Sequence, residues 1–110
     1  MKIVNRGFLT IRPKQAFWNW ANQISTDVLF DEQDAVEGTV YLIEEDFFDI
    51  EPIIEKHFKK MFKQELTMIT EDPAQWPQEI TLEQFLEWFS ADYGSVVFDL
   101  EKSDLTSEKA

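Results

Sequence analysis

The chain contains no cysteine. Disulfide bonds, thiolate metal sites and a cysteine nucleophile are therefore excluded, and the composition suits a reducing compartment. It has one histidine, His57, so a metal site built from paired histidines cannot be assembled. Its three glycines, Gly7, Gly38 and Gly94, form no G-x-G-x-x-G or G-x-x-x-x-G-K-[ST] run. The backbone cradles that hold dinucleotides and nucleotide phosphates are thus missing. No serine sits in a G-x-S-x-G turn, which removes the hydrolase nucleophile elbow. No apolar run approaches the roughly 20 residues of a membrane span. Met1–Thr10 lacks the sustained apolar stretch of a secretory signal. These absences predict a soluble, cytoplasmic protein.

Basic residues are scarce too. Ten Lys and Arg face 22 Asp and Glu, for a net charge of −12 at pH 7. A field of that sign repels phosphate backbones and anionic lipid, so neither nucleic acid nor membrane is an expected partner. Solubility and attraction of a basic protein are the uses that remain. The acids of the 26–38 connection (Asp27, Asp31, Glu32, Asp34 and Glu37) lack the D-x-D-x-D-G spacing of a calcium loop. With 22 acids in the chain, proximity of two carboxylates does not by itself mark acid/base chemistry. The sequence implies no cofactor, no metal and no catalytic residue, and leans against an enzyme.

Apolar and aromatic residues are plentiful. Of 110 residues, 44% are hydrophobic and 15% aromatic, with ten Phe, four Trp and two Tyr. Large rings fill a small core efficiently, and this length predicts one domain. Gly7–Arg12 alternates Leu9 and Ile11 against Phe8, Thr10 and Arg12, as a strand does. Pro13 is expected to end it and to sit in the first turn of a helix running to Ser25. Phe17, Trp20, Ala21 and Ile24 form the inner stripe of that helix. Trp18 falls about 125° from the stripe. Leu29 and Phe30 are expected to tuck against the core edge. Thr39–Glu44 reads as a strand with apolar residues on both faces, hence covered on both sides or central.

Asp49 is the expected cap of a second helix over Ile50–Leu66, with Pro52 in its first turn. Ile54, Phe58, Met61, Phe62 and Ile69 share one face. Lys56, Lys59, Lys60 and Lys63 share the other and account for half of the eight lysines. Glu65 falls in the apolar face, where an unpaired carboxylate is costly. An end to the helix there, or a pairing with Arg6 or Arg12, would relieve it. Trp76, between two prolines, is the expected plug at one end of the core. Thr81 and Gln84 form a capping box for a third helix, stapled by Ile80 and Phe85. Leu82, Phe85, Leu86, Phe89 and Tyr93 line its inner face, and Gly94 ends it. Trp88 falls about 115° off that face. Ser95–Leu100 is then a third strand, with Val96, Phe98 and Leu100 on one side. The result is an α+β fold in β-α-β-α-α-β order, a three-stranded sheet packed against helices. Residues 1–100 make the domain and 101–110 a polar, flexible C-terminal tail.

The opening Arg12-Pro-Lys-Gln-Ala-Phe-Trp-Asn-Trp-Ala-Asn22, the strand Thr39-Val-Tyr-Leu-Ile43, Trp76-Pro-Gln running into the helix run Phe85-Leu-Glu-Trp-Phe89, and the strand Ser95-Val-Val-Phe-Asp-Leu100 together resemble a family of small acidic bacterial proteins of unassigned function. The family pattern runs R-P-K-Q-P-F, and Ala16 stands here for its second proline. The resemblance implies a bacterial cytosolic protein and brings no activity or site residue with it.

The residues left over from the core are Arg12, Lys14, Gln15, Trp18 and Trp88. Tryptophan and arginine are favoured interface anchors, which makes a protein-binding or regulatory module the leading expectation. A small anion- or ligand-binding domain is the alternative, with Arg12, Lys14 and Gln15 holding the anion at a helix start. A blocker of a basic partner, as immunity proteins and nucleic-acid mimics are, is the third.

Overall fold

In the segment Gly7–Pro13, every second side chain is apolar and the strand it forms is the middle of a sheet. We number the strands in chain order, so this is β2. The computed structural model describes residues 1–24 and 37–110. Within them, β2 lies between β3 (Thr39–Ile43) and β4 (Phe89–Gly94), antiparallel to both. Leu9 stands opposite Tyr41 and Tyr93, and Thr10 opposite Val40 and Asp92. Leu9 and Ile11 are fully buried on the inner face. Helices α1 (Gln15–Ile24), α2 (Glu51–Thr67) and α3 (Leu82–Trp88) supply the rest of the core on that side. The protein is a single small α+β domain with a three-stranded antiparallel sheet against helices, as its sequence predicts. β1 (Lys2–Val4) and β5 (Val97–Asp99) form a second, two-stranded antiparallel sheet.

The core is aromatic at its centre. Phe62 and Phe85 are buried, with Phe62 within 5.3 Å of Trp88 and 5.2 Å of Phe89 between ring centroids. Phe17, Trp20 and Ala21 are buried on the predicted stripe of α1, and Ile24 is partly so. On α2, Ile54, Phe58, Met61 and Phe62 face inward and the four lysines outward. Trp76 packs against one end of the core, its indole Nε1 donating to the carbonyl of Thr70 at 3.0 Å.

Several local expectations give way. The third helix stops at Trp88, and Phe89–Gly94 is the strand β4. The spacing of Phe85, Phe89 and Tyr93 fits a helix, but pairing with the free side of β2 satisfies a whole ladder of backbone groups. Phe89 is already extended, at φ −135° and ψ 145°. The predicted start of this helix does hold, since the Thr81 hydroxyl accepts from the Gln84 amide at 3.2 Å. The predicted third strand is β5, which pairs with β1 outside the main sheet. Only Val97–Asp99 of the predicted Ser95–Leu100 is strand, and Val96, Phe98 and Leu100 are exposed.

β3 is an edge strand in the described sheet, not a covered one, and Val40 and Leu42 lie open on its outer face. Pro13 closes β2 opposite Phe89 instead of entering α1. Ile50, not Asp49, caps α2, without a side-chain hydrogen bond, while Pro52 does sit in the first turn. Ile69 lies just past the end of α2 and is partly buried. Leu29 and Phe30 fall outside the described residues.

Candidate functional site

Arg12 and Lys14 flank the β2–α1 joint, and each is tied to a different neighbour. Arg12 lies on the outer face of β2, and its Nη1 donates to Asp92 Oδ2 at 2.7 Å. Asp92 is the diagonal neighbour across the β2–β4 ladder, since Arg12 itself stands opposite Ser90. Lys14 turns the other way. Its Nζ donates to the Leu86 carbonyl at 3.2 Å and its backbone N–H to the Trp88 carbonyl at 2.7 Å. Lys14 therefore serves the exposed carbonyl end of α3, where a cation is favoured. Gln15 Nε2 donates to Asn19 Oδ1 at 3.0 Å along α1. The three do not converge on a common point.

The two tryptophans also part. Trp88 packs its ring 5.3 Å from Phe62, 5.9 Å from Trp20 and 6.2 Å from Phe17, inside the aromatic cluster. Helix α3 has only seven residues and is held between α1 and α2. Two of its faces are thus covered, and a position off the main stripe still finds partners. Trp18 is half-buried, edge-on to Phe17 at 5.1 Å.

Glu65 is buried inside α2 and meets neither Arg6 nor Arg12. The Tyr41 hydroxyl donates to its Oε2 at 2.7 Å and the Thr39 hydroxyl to its Oε1 at 3.2 Å. Thr39 and Tyr41 are alternate residues of β3, so both hydroxyls point from the sheet to the helix. Burial pushes the Glu65 carboxyl above the usual carboxylate range, and the two hydrogen bonds pull it partly back. Burial, then the hydrogen bond and the charge of Glu65, push the Tyr41 hydroxyl up as well. The Thr-x-Tyr pair opposite a lone apolar-face acid is the sequence signal that could have located this contact. With 3% of its surface exposed, Glu65 joins strand to helix and meets no dissolved substrate.

At the start of the same seam, Glu44 meets His57 and Lys56. Its Oε1 lies 2.9 Å from His57 Nε2 and its Oε2 accepts from Lys56 Nζ at 3.3 Å. The hydrogen bond with His57 is the main reason its carboxyl is held down to about 2. A cavity of about 300 Å³ opens between β3 and α2, lined by Tyr41, Leu42, Ile43, His57, Lys60, Met61 and Gln64, with Ala110 at its rim. Among the described residues no cluster of His, Asp and Glu is placed to hold a metal ion. No helix among them is long and apolar enough to cross a membrane.

The outer face of the sheet is the remaining candidate surface. Phe8, Thr10 and Arg12 from β2 stand beside Leu42, Val40 and Asp92 from the flanking strands. Val40 and Leu42 keep 59% and 52% of their surface in solvent. Phe8 lies over Gly94, where a Cβ would come within 2.5 Å of its ring. No described element covers this face. Comparison of the chain with protein-family models, curated proteins and solved structures gives no match in any of the three.

Proposed function

We propose that the chain is a protein-binding module of the bacterial cytoplasm that engages a basic partner through the outer face of its sheet. The observation that carries this reading is the exposure of Val40 and Leu42 side by side on β3, next to Phe8. Aliphatic side chains on a solvated strand face usually give way to polar ones. Clustered exposed apolar residues rimmed by polar ones mark interaction surfaces. Here the rim is Thr10, Ser90 and the Arg12–Asp92 pair. The net charge of −12 draws a cationic protein toward the chain as a whole and disfavours nucleic acid and lipid. A blocker of a basic protein is the form of this function that the charge favours most.

The test compares the wild-type chain with the double substitution Val40→Ser and Leu42→Ser in affinity capture from the host. Both side chains are largely exposed, so the variant keeps its fold. It loses a partner that the wild type retains. Retention weakens as salt rises from roughly 50 mM to roughly 300 mM, because the Debye length shortens. Equal capture by both chains, or capture indifferent to salt, overturns the proposal.

A further inference from the structure

The cavity between β3 and α2 combines an apolar floor with a lysine that makes no ion pair among the described residues. Ile43 and Met61 are buried beneath it, and Tyr41 forms a wall. That wall is fixed, because the Tyr41 hydroxyl is turned inward onto Glu65. Lys60 stands at the mouth on the exposed side of α2, one turn from His57. Glu44 pairs with His57 and Lys56, but Lys60 makes no ion pair among the described residues. Glu65, the other acid of the seam, is sealed from the cavity's solvent by burial. Lys59 and Lys63 extend the positive stripe beside the opening. In a protein of net charge −12, this is a local positive mouth over an apolar floor.

We propose that this cavity binds a small carboxylate with an apolar body, the carboxylate against Lys60 and the body on Ile43, Met61 and the Tyr41 ring. At about 300 Å³ the space lies at the small end of the roughly 300–1,000 Å³ typical of small-molecule sites. The site lies on the inner side of the β3 edge and shares only Leu42 with the Val40 face. Lys60 belongs to it alone, so its failure leaves the partner-binding reading untouched.

Octanoate is the probe, and 1-octanol its uncharged counterpart. In a titration followed by amide chemical shifts, octanoate moves residues 41–43 and 57–64 in a saturable way below about 10 mM, a weak but specific affinity. Octanol binds about fivefold more weakly, the scale of one exposed charge pair. Lys60→Ala weakens octanoate to the same extent and leaves octanol unchanged, and Lys60→Glu abolishes octanoate binding. Lys2→Ala, at the β1–β5 sheet, changes nothing. Equal affinity for octanoate and octanol, an unaltered Lys60→Glu titration, shifts centred elsewhere, or no saturation each overturn the proposal.

Discussion

Replacing Glu65 by Gln isolates the effect of a buried charge. The side chain is 3% exposed and accepts hydrogen bonds from Tyr41 at 2.7 Å and Thr39 at 3.2 Å. Burial raises its proton affinity in the fold, and the two hydroxyls offset part of the rise. In the unfolded chain the carboxyl titrates near 4.5. An acid that holds its proton more tightly when folded stabilises the fold at low pH. That contribution is lost as pH rises from 4.5 through the folded-state value. Gln matches the protonated acid in size, keeps an acceptor for Tyr41 and does not titrate. Wild type and Glu65→Gln should therefore have equal stability below pH 4.5 and separate above it, with the variant more stable at neutral pH. Each tenfold difference in proton affinity is worth about 1.4 kcal/mol. The unfolding entropy of a chain this long is about 0.23 kcal/mol/K, so each such step appears as about 6 °C in Tm. Thermal unfolding by circular dichroism across pH reads the difference directly, because every other carboxylate cancels between the two proteins. A variant less stable than wild type at neutral pH would refute the reasoning. The charge-assisted hydrogen bonds, roughly 1.5–3 kcal/mol each, would then exceed the cost of burying the carboxylate. A difference that does not change with pH would refute it too.

Trp88→Ala should lower stability by about 3 kcal/mol, near 13 °C in Tm, because it opens the aromatic cluster. Trp18→Ala should cost about half as much, and equal losses in calorimetry would contradict the placement of Trp88. Gly94→Ala should cost about 1–3 kcal/mol by driving a methyl into the Phe8 ring. The cost should largely vanish in a Phe8→Ala background, which a double-mutant cycle in urea would show. The Glu44 carboxyl should titrate near 2 by carbon NMR, and His57→Gln should return it toward 4.5.

The parts of the fold legible in the sequence are those fixed by neighbours along the chain. β2 alternates Leu9 and Ile11 with Phe8, Thr10 and Arg12, the α1 stripe repeats every 3.6 residues, and Thr81 caps α3 through Gln84. What was not legible depends on pairing across the chain. Phe85, Phe89 and Tyr93 recur at a spacing that suits a helix, and only the open side of β2 makes Phe89–Gly94 a strand. β3 carries apolar residues on both faces, so nothing local says that Val40 and Leu42 stay open. The candidate site was less legible still. Arg12, Lys14 and Gln15 are adjacent in sequence but end on Asp92, Leu86 and Asn19. Glu65 was visible as an anomaly, and its partners lie 24 and 26 residues away.

The antiparallel ladder between β2 and β4 joins Phe8 to Gly94 and Pro13 to Phe89, and that separation bears on the order of events at the ribosome. The central strand is made well before one of its partners, since Pro13 pairs with Phe89. At roughly 5–20 residues per second, β2 waits about 4–16 s with that side bare, while β3 and then α2 emerge and dock. A nascent chain stopped before Phe89 carries a central strand paired on one side only and a half-built aromatic core. It is therefore a client for a chaperone, and the arrival of Phe89–Gly94 decides when the molecule becomes safe from its own sheet.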